Sequence, residues 1–249
     1  MRPLLAACGV FIGYWIILAG GTLAREPWNS SRVIGSPEPP QPYTTERVYP
    51  RLQFDQPVEL MPLADTGRML LLEVGGRVFT FEDDSECVQA DLALDLVPLS
   101  DKFSRAFGIA VHPDFMRNRE IFICYASNPV ARPDGTRLSR FRMNSHSPPQ
   151  IDPDSEQVLL TWASGGHNGC AIRFDSAGYL YFSAGDGARP YPPDEYNVSQ
   201  DLSDLRATIC RIDVDQRSGQ LNYAIPPDNP FVTTPAARPE IWAYGFRNP

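Results

Sequence analysis

One phrase of sequence occurs three times in this chain, and its spacing constrains the fold more than any other feature. Val58-Glu59-Leu60-Met61 leads through the turn Ala64-Asp65-Thr66-Gly67 into an apolar run at 69–74. The apolar run 107–111 leads through His112-Pro113-Asp114 and a polar turn at 116–119 into Ile121-Phe122-Ile123-Cys124-Tyr125. Residues 171–174 lead through Asp175-Ser176-Ala177-Gly178 into the nearly continuous apolar run 179–184. With Met69, Ile121 and Leu180 as equivalent strand starts, the copies lie 52 and 59 residues apart. Self-similarity at such a period marks a repeat architecture, here the blade of a β-propeller with loop insertions. Gly75-Gly76 reads as a two-residue hairpin turn into an alternating strand at 77–81. Outer strands are expected at 136–142, 158–162 and 208–213. On spacing alone a β-sandwich of short strands also fits.

Composition supports an all-β reading and narrows function. The 25 prolines and 18 glycines punctuate short strands and loops, and no long segment after Gly21 keeps the three-and-four apolar spacing of an amphipathic helix. With 22 basic against 30 acidic residues and no Lys/Arg cluster, the chain lacks the positive patch that nucleic-acid phosphates require.

Residues 1–24 read as a signal peptide or an N-terminal membrane anchor. Arg2 precedes an apolar run, and Thr22-Leu23-Ala24 offers small residues for cleavage, although the run is also long enough to stay in a membrane. The expected location is therefore periplasmic or secreted, with membrane attachment only through an uncleaved anchor. Residues 25–50, with Pro27, Pro37, Pro39, Pro40, Pro42 and Pro50, read as an extended linker, and 51–249 as the folded domain. Of five cysteines, Cys8 lies in the leader. Cys124, Cys170 and Cys210 sit in apolar runs, where Cys behaves as a small buried hydrophobe, so free thiols are expected there and at Cys87. No Cys-x-x-Cys or Cys-x-x-Cys-His occurs, so neither a zinc knuckle nor a covalently held haem is encoded.

The chemistry concentrates at the ends of the third hairpin. His167, in Gly165-Gly166-His167-Asn168-Gly169, stands just before its first strand, and Asp186, in Gly185-Asp186-Gly187, just after its second. An antiparallel pair brings those ends together, so one hairpin delivers an imidazole and a carboxylate to the same sheet edge. Taken singly, each has a plainer reading: a loop His bonded to backbone, and a common Gly-Asp-Gly turn. His112 reads as structural and His146 as part of a polar loop. Asp201, Asp204, Asp213 and Asp215 form a loose acidic group, read first as solvated charge and second as a cation site.

This His, strand, Asp-x-x-Gly turn, aromatic strand and Gly-Asp-Gly pattern resembles the soluble glucose/sorbosone dehydrogenase family of quinoproteins. Tyr223-Ala224-Ile225-Pro226-Pro227-Asp228-Asn229-Pro230-Phe231 and Glu240-Ile241-Trp242-Ala243-Tyr244-Gly245-Phe246-Arg247-Asn248-Pro249 match the segments that follow it there, and three ordered matches are far more specific than one. The resemblance implies a six-bladed β-propeller, present here as an incomplete N-terminal portion of three to four blades, with residues 240–249 opening the fourth. It implies a sugar or aldehyde substrate, pyrroloquinoline quinone (PQQ) as hydride acceptor, and calcium. It makes His167 the general base, Asp186 its orienting carboxylate, and Arg247 and Asn248 contacts of the quinone. The final electron acceptor is left open, a cytochrome being one candidate.

Two positions depart from the family pattern. Gly166 stands where glucose-oxidising members have Asp, and Phe103 where a sugar-contacting Gln is found. Both changes remove groups that bind sugar hydroxyls. The second expectation is accordingly a non-catalytic binding module, as in the Hedgehog-interacting ectodomains that the same resemblance brings in.

Overall fold

Residues that tolerate a positive φ close the hairpins. Gly76 (φ 90°) and Gly178 (φ 89°) turn two of them. At the second, Asp175 Oδ1 accepts the backbone N–H groups of Ala177 and Tyr179 at 2.9 and 3.0 Å, the self-bonding that makes Asp a turn former. In the computed structural model, which describes residues 44–130 and 133–249, these turns organise three four-stranded antiparallel sheets. The first contains β1 (Pro57–Leu63), β2 (Arg68–Glu73), β3 (Arg77–Glu82) and β4 (Asp91–Asp95). The second contains β5 (Arg105–Val111), β6 (Glu120–Ala126), β7 (Thr136–Met143) and β8 (Ile151–Trp162). The third contains β9 (Ile172–Phe174), β10 (Leu180–Ala184), β11 (Thr208–Ile212) and β12 (Ile241–Tyr244). In each sheet consecutive strands are neighbours, the meander of a propeller blade. Helix among the described residues is limited to one turn, α1 (Phe115–Asn118), and a 3-10 turn at Val97–Leu99.

Alternation along β6 explains how the sheets stack. All seven of its residues are buried. Ile121, Ile123 and Tyr125 pack into one core with Leu70, Leu72 and Val78 of the first sheet. Phe122 and Cys124 point the other way, into a second core with Leu180, Phe182 and Ile212 of the third. A strand sandwiched between two sheets must be apolar on both faces, and each large side chain buried there contributes about 1.5–3 kcal/mol.

The first strands of the blades stand side by side, β1 against β5 and β5 against β9. Arg173 of β9 reaches past β5 to Glu59 of β1, with Nη1–Oε2 and Nη2–Oε1 distances of 3.0 and 3.1 Å.

Three sequence expectations are adjusted. Residues 240–249 do not open a fourth blade: Ile241–Tyr244 pairs antiparallel with β11 and completes the third. Strand β8 begins at Ile151, well before 158, because an edge strand accepts Pro153 and a polar run. Cys170 lies outside any strand with φ 126°, although it is buried as expected. Cys87, Cys124, Cys170 and Cys210 are all free thiols.

One compact unit runs from Arg47 to Pro249. Within it Tyr49 packs its ring edge-on against Phe81, centroids 4.9 Å apart. The leader reading at 1–24, and the linker up to residue 43, lie outside the described residues. No helix among the described residues is long and apolar enough to cross a membrane.

Candidate functional site

Backbone pairing continues past the ends of β9 and β10 and fixes the geometry there. Gly187 N–H donates to His167 O at 3.0 Å, Gly166 N–H to Gly187 O at 2.9 Å, and Gly185 N–H to Asn168 O at 2.9 Å. This close approach needs glycine. A Cβ on Gly185 would stand 2.1 Å from His167 O, and one on Gly166 would stand 2.4 Å from Ala188 O. An Asp at position 166 therefore has no room on this backbone.

The pairing brings His167 and Asp186 together as the sequence predicts. Nδ1 of His167 lies 2.8 Å from Oδ1 of Asp186. The same oxygen accepts the Ala188 N–H at 2.8 Å. The Asp186 side chain is 2% exposed and the His167 side chain 13%, so the acid is sealed while the ring keeps access to solvent. An oxygen that accepts the Ala188 amide assigns the acceptor role to the carboxylate, which places the imidazole proton on Nδ1. The Nε2 lone pair is then free to take a proton from a bound molecule.

Residues 247–249 return to this hairpin after β12. The Arg247 carbonyl accepts the Asp186 N–H at 2.9 Å, and the Pro249 carbonyl accepts the Ser183 hydroxyl at 2.8 Å. Arg247 and Asn248 are exposed. The Arg247 guanidinium makes one long contact, to Pro190 O at 3.4 Å, and Asn248 Oδ1 sits over Gly169, 3.3 Å from where a Cβ would be. Gly169 thus leaves room under the Asn248 carboxamide, and the neighbouring Arg247 guanidinium keeps donors to spare. That donor chemistry fits the carbonyl and carboxylate oxygens of a quinone acid.

Other candidates fall away from this cluster. His112 is buried, with Nδ1 accepting the Asp114 N–H at 3.0 Å and Nε2 3.3 Å from Asp215 Oδ1, and His146 is exposed in its loop. The acidic group is not assembled: Asp201 and Asp204 precede β11 and Asp213 and Asp215 follow it, at opposite ends of the strand. Asp204 pairs with Arg206 at 2.7 Å. Asp201 is held below the usual carboxylate range by the hydroxyl and N–H of Ser203. Among the described residues no group of three or more His, Cys, Asp or Glu is arranged for a metal. Phe103 packs over Gly76, its ring 6.1 Å from that of Tyr125, as part of the core between the first two sheets.

Two supporting residues escaped the sequence reading. Asn168 is buried, its Oδ1 accepting the Gly165 N–H at 2.8 Å. Ser183 accepts the Ala171 N–H at 3.0 Å while donating to Pro249. The signal for Ser183 was available, as a lone hydroxyl in an apolar strand needs a partner.

Comparison with known proteins identifies the family. A family model described as glucose/sorbosone dehydrogenase matches residues 54–249. The Hedgehog-interacting protein of Mus musculus is 28% identical over 148 residues, 57% of this chain and 21% of that one. The aldose sugar dehydrogenase YliI of Escherichia coli (strain K12) is 27% identical over 202 residues, 79% of this chain and 50% of that one. The solved PQQ-bound aldose sugar dehydrogenase of Streptomyces coelicolor superposes with a TM-score of 0.61 at 21% identity, over 81% of this chain and 54% of that one, a likeness of fold. The chain spans half or less of the length of the two curated relatives.

Proposed function

The chain belongs to the glucose/sorbosone dehydrogenase family, and from that premise we propose that it oxidises an aldose or a related sugar aldehyde at the anomeric carbon, with PQQ as the hydride acceptor. The observation that carries this reading is the 2.8 Å contact between a solvent-reachable imidazole and a sealed carboxylate, next to the donors of Arg247 and Asn248.

His167 takes the proton of the anomeric hydroxyl on Nε2. Asp186 holds the ring by Nδ1 and stabilises the imidazolium that results. When bound, the quinone supplies the two-electron acceptor for the C1 hydride, and an aldose leaves as its lactone. The Arg247 guanidinium and the Asn248 carboxamide would hold quinone oxygens, where positive charge favours the reduced ring. Calcium enters through the family alone. We place this chemistry outside the cytoplasm on the reading of residues 1–24 as a leader.

The test is dye reduction by the purified protein with PQQ and calcium across a panel of aldoses. His167→Ala should lower the rate by at least about 100-fold, the scale of general-base catalysis, and a rate untouched by that change would overturn the assignment. A second reading, a non-catalytic binding module, is favoured by the packing of Phe103 against Gly76 and Tyr125 and by the likeness to the Hedgehog-interacting protein. Quinone that binds without any aldose being oxidised would select it.

A further inference from the structure

Arg105 has no role in the chemistry described above, yet it lines a cavity together with Gly169 and Cys170, two and three residues past His167. Gly108 of β5 lies against Cys170 and Ile172, and His112, four residues on, packs edge-on against Phe174 with ring centroids 5.2 Å apart. The two chain segments therefore run side by side in the same direction. Three residues back from Gly108 is Arg105, and three back from Cys170 is His167, so both lie toward the same end of neighbouring segments. Arg105, Phe107, Gly169 and Cys170 share the wall of one cavity of about 400 Å³, within the range that small-molecule sites occupy.

Charge in this cavity is unbalanced. Its acid, Glu59, is already engaged by both arms of Arg173. Arg105 is exposed and makes no ion pair or side-chain hydrogen bond among the described residues. The neighbouring wall is Gln56, Val58, Val74, Ala106, Phe107 and Ala171. A guanidinium is permanently charged and presents its donors in a fork that matches a carboxylate. A neutral hexose would leave that fork to water, whereas a sugar acid would occupy it.

We infer that Arg105 is a specificity-determining residue that selects sugars carrying a carboxylate, of the uronic acid kind, over neutral aldoses. The inference rests on the dehydrogenase reading only for the chemistry at C1.

The experiment measures binding before turnover. Equilibrium titration of glucuronate and of glucose is carried out on the full chain without quinone, for the wild type, Arg105→Gln and Arg105→Lys, each checked by circular dichroism. The wild type should bind glucuronate about 10- to 100-fold more tightly than glucose, the scale of a charge-assisted hydrogen bond. Arg105→Gln should lose that preference and Arg105→Lys recover part of it. Equal binding of the two sugars by the wild type, or a preference that survives Arg105→Gln, overturns the inference. PQQ is titrated separately: weaker quinone binding by Arg105→Gln with the sugar preference intact would make Arg105 a cofactor contact and also overturn it. The two proposals fail differently. Glucuronate bound preferentially but not oxidised by the quinone-loaded protein keeps the subsite and removes the dehydrogenase, and dye reduction without acid preference does the reverse.

Discussion

Replacing Gly185 by Ala tests the site geometry without relying on turnover. On the native backbone the new Cβ would stand 2.1 Å from His167 O and 3.2 Å from Arg247 O, where ordinary contact begins at 3.4 Å. The His167 carbonyl must retreat by roughly 1 Å, and overpacking of this kind costs about 1–3 kcal/mol. That carbonyl accepts the Gly187 N–H at 3.0 Å, a bond that such a shift breaks, for about 1 kcal/mol more. The smaller unfolded-state entropy of Ala returns about 0.4–1 kcal/mol. The net loss is about 1–3.6 kcal/mol, which for a domain of this size lowers Tm by about 2–14 °C. Because the moving carbonyl belongs to His167, the imidazole shifts off Asp186 and dye reduction should fall with it. The control is Gly75→Ala, where a Cβ meets nothing within 4 Å and stability should stay within about 0.5 kcal/mol. Thermal and urea unfolding of the two variants decide the matter. If Gly185→Ala melts with Gly75→Ala, the close approach around His167 is wrong.

Two further outcomes follow from buried polar groups. Burial works to raise the Glu240 carboxyl, yet hydrogen bonds from Arg238 and Tyr223 outweigh it and hold the group below its ordinary value of 4.5. A carboxylate lowered in the folded state contributes stability that is fully present above the unfolded value and is lost as pH falls through the folded one. Glu240→Gln should therefore flatten the fall in Tm below about pH 5, and an unchanged acid limb in a pH series of melts would refute this. Burial pushes the Cys210 thiol up to about 12 and raises that of Cys124 well above its usual range. Of Cys87, Cys124, Cys170 and Cys210, iodoacetamide should label only Cys87 in the native protein at neutral pH. Labelling of Cys210 at a similar rate, read by peptide mass, would contradict its burial.

Local chemistry was legible in the sequence where residues close in the chain decide the outcome. The Gly75-Gly76 and Asp175 to Gly178 turns, the apolar strands they join, and the meeting of His167 with Asp186 all follow from a single hairpin each. Pairings over long distances were not legible. Strand β12 joins β11 across an excursion from Asp213 to Glu240, and nothing local in Ile241-Trp242-Ala243-Tyr244 says which sheet it will complete. Strand β4, Asp91-Leu92-Ala93-Leu94-Asp95, is a short edge strand that the sequence reading passed over, its three apolar residues being too few for a period to declare itself. The acidic residues around β11 appear close because sequence distance ignores that a five-residue extended strand carries its two ends about 17 Å apart.

The carbonyl of Arg247 that receives the Asp186 amide has a mechanical consequence. The peptide presenting the guanidinium outward is the one that steadies the carboxylate against His167, and Pro249 repeats the fastening three residues back, at Ser183. Acid and guanidinium are two ends of one bracket. A molecule that grips Arg247 and Asn248 would pull on the support of Asp186, so binding there would be coupled mechanically to the position of the His167 ring.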